Sequence, residues 1–121
     1  APMQKPVKVS DDLWNVLVAA EGFREASDGA FDITVGPLTT LWRQARRTGR
    51  LPREDKLAVA RTAVGGAGIQ LDQKTQQVLL TKPVMRLDAG GIGMGYAADR
   101  AMDVLKSHRI TSAMIDASGD I

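Results

Sequence analysis

The sequence predicts an α+β fold in a single compact unit, with helices in the first half, a hairpin, then a strand, a glycine loop, a helix and a strand. Three observations lead there. Apolar residues recur at helical spacing in the first half and again after residue 95. Two short β-prone runs flank the polar turn Asp72-Gln73-Lys74-Thr75. Glycine clusters at 65–68 and 90–95 punctuate the chain between such runs.

Residues 1–9 hold two prolines and little periodicity, which reads as an extended lead-in. Ser10 followed by Asp11 and Asp12 is a cap with acids in the first turn. Leu13, Val16, Leu17, Ala20 and Phe23 then recur at helical spacing, in a helix that ends near Ser27-Asp28-Gly29. Residues 30–35 read as a short strand or extended segment. Gly36-Pro37 opens a helix over 37–47 with Leu38, Leu41, Trp42 and Ala45 on one face, and Gly49 ends it. A further helix over 53–64 presents Leu57, Ala60 and Val64. Strands are expected at 69–72, 76–81, 84–88 and 111–116, and a helix at 96–107 with Ala97, Ala98, Ala101, Met102 and Leu105 inward. No internal repeat or low-complexity segment interrupts this order.

Composition removes several classes. The 121 residues include no cysteine, which excludes a disulfide framework, a thiolate nucleophile and a cysteine-based metal site. One histidine, His108, excludes a multi-histidine metal site, and its place at a helix end suits a dipole-complementing role. No apolar run approaches the ~20 residues of a membrane span. A net charge of +2 and five scattered aromatic residues do not make a nucleic-acid surface, so no nucleic acid is expected as a partner.

Four places can carry chemistry. Glycines 90, 91, 93 and 95 lie between a strand ending at Asp88 and the following helix, where close backbone approach and free amides suit a phosphate or pyrophosphate. The spacing matches neither Gly-x-Gly-x-x-Gly nor the Walker pattern, so a tight packing turn is the alternative. Asp88, at the strand's end, can accept from a base edge or hold a cation, or can cap a turn. The run from Gly29 to Leu38 combines a glycine turn, Phe31, Asp32 and a Gly-Pro junction. Its plain reading is a core phenylalanine with Asp32 or Thr34 as a local hydrogen-bonder. Arg43, Arg46, Arg47 and Arg50 recur at helical spacing, with Arg53 beyond, as a solvated face or a stripe for phosphate or a partner.

Three blocks in this order resemble the ApbE family of flavin transferases: "GAFDITVGPL" with Leu41-Trp42, "LDAGGIGMGYAADRAMDVL" from Leu87 to Leu105, and "AMIDASGDI" from Ala113 to Ile121. The resemblance covers residues 8–121. It implies that 1–121 is the central part of a longer domain whose flanking parts carry the catalytic histidine and further magnesium ligands, so no catalytic residue is expected in this chain. It implies a magnesium-dependent (Mg2+) transfer of FMN from FAD to a threonine of an acceptor flavoprotein, with AMP released; some members hydrolyse FAD instead. By position, Ala30, Phe31, Asp32, Asp88 and Met94 match FAD contacts, Asp88 at the adenine, and Gly91 matches a magnesium ligand that can offer only its carbonyl oxygen. Position 94 is often lysine or glutamate in the family, so methionine departs from the pattern. The resemblance also implies a bacterial envelope location, with membrane attachment only through a lipid anchor outside this chain. The fragment itself is expected to be inactive. A non-catalytic nucleotide-binding or protein-interaction module on the same scaffold is the competing reading.

Overall fold

The computed structural model describes residues 5–119. They form two compact units that meet in sequence at the Asp88–Ala89 junction, a division the sequence pattern does not announce.

The first unit begins with strand β1 (Val7–Lys8) and helix α1 (Asp11–Ala26). The cap forms as its residues dictate, with Ser10 Oγ accepting from the Leu13 amide at 3.3 Å. Val16, Leu17 and Ala20 of α1 are buried, whereas Leu13 and Phe23 of the same periodic set are exposed. The helix therefore contributes a strip narrower than its apolar pattern. Helix α2 (Gly36–Thr48) starts one residue before the expected proline and ends on Gly49 at φ 68°, whose amide donates to the Ala45 carbonyl. Trp42 is exposed rather than buried. Helix α3 (Glu54–Ala63) packs on α2 and buries Leu57, Ala60 and Ala63.

A short 3-10 turn (Gly66–Gly68) leads into β2 (Ile69–Asp72) and β3 (Gln77–Leu80), the expected hairpin. The sheet is antiparallel in the order β1-β3-β2, with Val7 opposite Val78 and Leu71 opposite Val78 on the other side. Gln76, at φ 54°, closes the turn and ties it to the start of α1: its Nε2 donates to the Val9 carbonyl and to Asp11 Oδ1. Ile33, Val78 and Met85 complete the buried apolar set of this unit.

The strand expected at 84–88 and the strand or extended segment expected at 30–35 are not realised as ladder strands. Residues 30–35 form turns, and 84–88 contribute only an isolated parallel bridge, Val35 with Arg86. The reason is local. Asp32 and Thr34 bond to each other instead of to a ladder, and Val84 adopts φ 53°, which bends the second segment.

The second unit is built on helix α4 (Gly93–Ser107), which starts three residues earlier than expected because the glycines at 93 and 95 are helical. Its inward set is not realised: no residue of α4 is buried, and Met94 and Val104 are exposed. His108 caps the helix C-terminus. Residues 111–116 are not a strand either, and only Ala117 makes a bridge. Asp120 and Ile121, the end of the third signature block, lie outside the described residues. No helix among the described residues is long and apolar enough to cross a membrane.

Candidate functional site

The loop between α1 and α2 is shaped by its own polar side chains. Ser27 Oγ accepts from the Phe31 amide at 2.9 Å, across a turn whose Asp28 and Gly29 take left-handed φ values of 51° and 79°. Asp32 Oδ1 accepts from both the amide (2.8 Å) and the hydroxyl (2.6 Å) of Thr34. That hydroxyl, wholly buried, accepts in turn from the Gly65 amide at 2.7 Å. One side chain thereby joins the loop to the turn after α3, with its donor and acceptor capacity both in use. The plain reading of Asp32 and Thr34 as local hydrogen-bonders is what the loop displays.

Phe31 is half-buried, with its ring edge-on to Phe23 at 6.0 Å between centroids. Ala30 is exposed. Arg24 lies in the last turn of α1, and the Glu21 carboxylate raises its pKa, by a 3.0 Å hydrogen bond and then by charge, with smaller help from Glu25 and Asp32.

Asp88 reaches the same loop from far along the chain. Its amide donates to the Ile33 carbonyl at 2.7 Å, two residues beyond the Val35–Arg86 bridge. Gly36 permits this approach. A Cβ there would stand 2.5 Å from the Arg86 carbonyl oxygen, so no larger residue fits without moving backbone. The Asp88 carboxylate then meets α2: Oδ2 accepts from Thr39 Oγ1 at 2.6 Å and from Arg43 Nη2 at 2.7 Å.

The structure thus brings the 30–33 loop and Asp88 together. Gly91 and Met94 belong to the second unit, where Gly91 lies in the turn before α4 and Met94 is its second residue. That turn is closed by the Ile92 and Gly93 amides, both donating to the Ala89 carbonyl.

Gly91 has one carbonyl to offer a cation, and no three His, Cys, Asp or Glu side chains cluster for metal binding among the described residues. Magnesium requires about six oxygen ligands in octahedral array. These residues alone do not fit a complete magnesium site.

Two residues at the site escape sequence reasoning. Thr39 carries no motif signal, and Arg43 reads as one member of a solvated stripe. The other stripe residues, Arg46, Arg47 and Arg50, are exposed, and Arg53 pairs with Asp55 at 2.9 Å. The only available signal is that Thr39 and Arg43 are four residues apart on one helix face, so both can reach a single acceptor.

The chain is similar to known proteins of one family. The family model described as "ApbE family" matches residues 1–121. An FAD:protein FMN transferase of Klebsiella pneumoniae is 31% identical over 116 residues, covering 96% of this chain and 37% of that protein. One from Haemophilus influenzae is 29% identical over 120 residues, covering 96% and 35%. The solved flavin transferase ApbE from Vibrio cholerae superposes with a TM-score of 0.87 at 26% identity, over 95% of this chain and 37% of that one. The chain spans little more than a third of the length of the relatives it matches.

Proposed function

The chain belongs to the ApbE family, and from that premise we propose that it forms the central part of an enzyme moving FMN from FAD to a threonine of an acceptor protein. In that reaction the threonine hydroxyl oxygen bonds to the FMN phosphorus. The bond from that phosphorus to the bridging pyrophosphate oxygen breaks, AMP leaves with the electron pair, and the hydroxyl proton passes to a base. No residue of this chain is assigned the base.

The role of these residues is to bind and orient FAD. Asp88 is the adenine contact, an acceptor for the exocyclic amine. Ala30 and Phe31 present an exposed backbone turn and a ring face, and Asp32 holds that turn in shape through Thr34. Met94 contributes an apolar contact in place of a charge. Mg2+, when bound, would neutralise pyrophosphate charge, with the Gly91 carbonyl as one ligand. The observation that most supports the reading is the Asp88 amide bond to the Ile33 carbonyl, which sets two separate signature segments side by side.

The test uses the protein that carries these residues at its native length, an acceptor with a candidate threonine, FAD and Mg2+. The expected result is FMN on the threonine by mass spectrometry with AMP released in equal amount, and none from the isolated 121 residues. FAD hydrolysis without an acceptor adduct would make the activity a pyrophosphatase. FAD binding without either product would favour the non-catalytic module, and transfer by the isolated chain would overturn its assignment as an inactive part.

A further inference from the structure

We infer that Thr39 and Arg43 are positioning residues that make Asp88 a reader of the adenine amine, and so set the base specificity of the flavin dinucleotide. The inference rests on the assignment of Asp88 as the adenine contact and goes beyond it. It starts from one carboxylate oxygen with two donors. Asp88 Oδ2 accepts from Thr39 Oγ1 at 2.6 Å and from Arg43 Nη2 at 2.7 Å. Both lengths fall in the range of charge-assisted bonds. The Thr39 hydroxyl has one hydrogen, and its other possible acceptor, the Gly36 carbonyl, is farther at 3.1 Å, so the carboxylate is its partner.

The two donors differ in what they supply. The Asp88 side chain is 13% exposed and that of Arg43 is 70% exposed. Arg43 brings a permanent charge to the carboxylate from the solvent side. Thr39, held on the first turns of α2, limits its rotation. An ionised carboxylate only accepts hydrogen bonds. Facing adenine it meets the amine, a donor. Facing hypoxanthine, whose carbonyl replaces that amine, it meets a second acceptor and rejects it. Without Arg43 or Thr39 one of the two bonds that fix the carboxylate is lost, and the discrimination weakens.

The test is titration of FAD, and of the same dinucleotide with hypoxanthine in place of adenine, into the native-length protein and its Arg43→Ala, Arg43→Lys, Thr39→Val and Asp88→Asn variants. The ratio of the two Kd values is the readout, because a general loss of fold weakens both ligands alike and leaves the ratio unmoved. The wild type should prefer FAD about tenfold or more, the value of one charge-assisted hydrogen bond. Arg43→Ala and Thr39→Val should bring the ratio to about twofold or less, and Arg43→Lys should recover part of it. A wild-type preference that survives in Arg43→Ala and Thr39→Val but is lost in Asp88→Asn would overturn the positioning role and leave Asp88 as the adenine contact. A wild type that binds both dinucleotides equally, or neither, or whose preference survives in Asp88→Asn, would remove the adenine assignment itself and this inference with it.

Discussion

Replacing Gly36 by alanine tests the packing on which the site depends. Gly36 is buried at the first position of α2, and the added Cβ would stand 2.5 Å from the Arg86 carbonyl oxygen and 2.8 Å from its carbonyl carbon. Both are backbone atoms, so the collision cannot be relieved by a side-chain rotation. Overpacking of this kind costs about 1–3 kcal/mol, and alanine recovers under 1 kcal/mol of helix propensity at a terminal position. The net expectation is a loss of about 2 kcal/mol, or a fall in Tm of roughly 8 °C for a chain of this size. Trp14 and Trp42 both lie in the first unit, so tryptophan fluorescence during urea or thermal unfolding reports on the unit that contains the contact. Gly22→Ala is the internal control of opposite sign. Gly22 is exposed within α1 and a Cβ there meets nothing within 4 Å, so alanine should stabilise by about 0.5–1 kcal/mol. If Gly36→Ala unfolds within 0.5 kcal/mol of the wild type, or is more stable, then residues 86–88 do not lie as close to α2 as described and the placement of Asp88 fails with them.

Two further expectations concern polar groups. Thr34→Val keeps the shape of a wholly buried side chain but removes the hydroxyl that accepts from the Gly65 amide and donates to Asp32. It should cost about 2–3 kcal/mol by denaturant titration, whereas a change below 0.5 kcal/mol would mean that water or a shifted backbone replaces the link. Asp72 accepts from Thr75 Oγ1 at 2.8 Å and from the Lys74 amide at 2.9 Å, first the hydroxyl and then the amide holding its pKa below the usual aspartate range. A carboxyl with its folded pKa depressed stabilises above the unfolded value, near 3.9, and loses that contribution as pH falls through the lower folded value. Hairpin amide shifts of residues 72–77 should therefore titrate below pH 3.9 in the wild type and show no such step in Asp72→Asn; a midpoint above 3.9 would contradict the bonding described.

Much of the local structure was legible because it follows from neighbours in sequence. Ser10 caps α1, Gly49 terminates α2 through a left-handed turn, and the Asp72–Thr75 turn closes the hairpin; each depends on residues within four positions. The segments 30–35 and 84–88 were not legible. Their apolar alternation suits a strand, but Asp32 bonds to Thr34 and the chain turns at Val84, and what remains is one bridge. The exposure of Phe23 and Trp42, and the lack of any fully buried residue on α4, likewise could not be read from periodicity. Spacing states which residues share a face and not what lies against it.

The sequence by itself determined the α+β class, the helices and the hairpin with their caps and turns, and through three ordered blocks the family to which the chain belongs. Only the tertiary structure decided that Asp88 meets Ile33, that Gly36 must be glycine because Arg86 crosses it, and that Thr39 and Arg43 hold one carboxylate oxygen between them. The physical reason is separation along the chain. A cap or turn is a bond between near neighbours whose geometry their own dihedrals set, whereas the Asp88 contacts join residues more than forty positions apart. Their partners are chosen by which backbone segments can pack close enough to share hydrogen bonds, and no local preference encodes that choice.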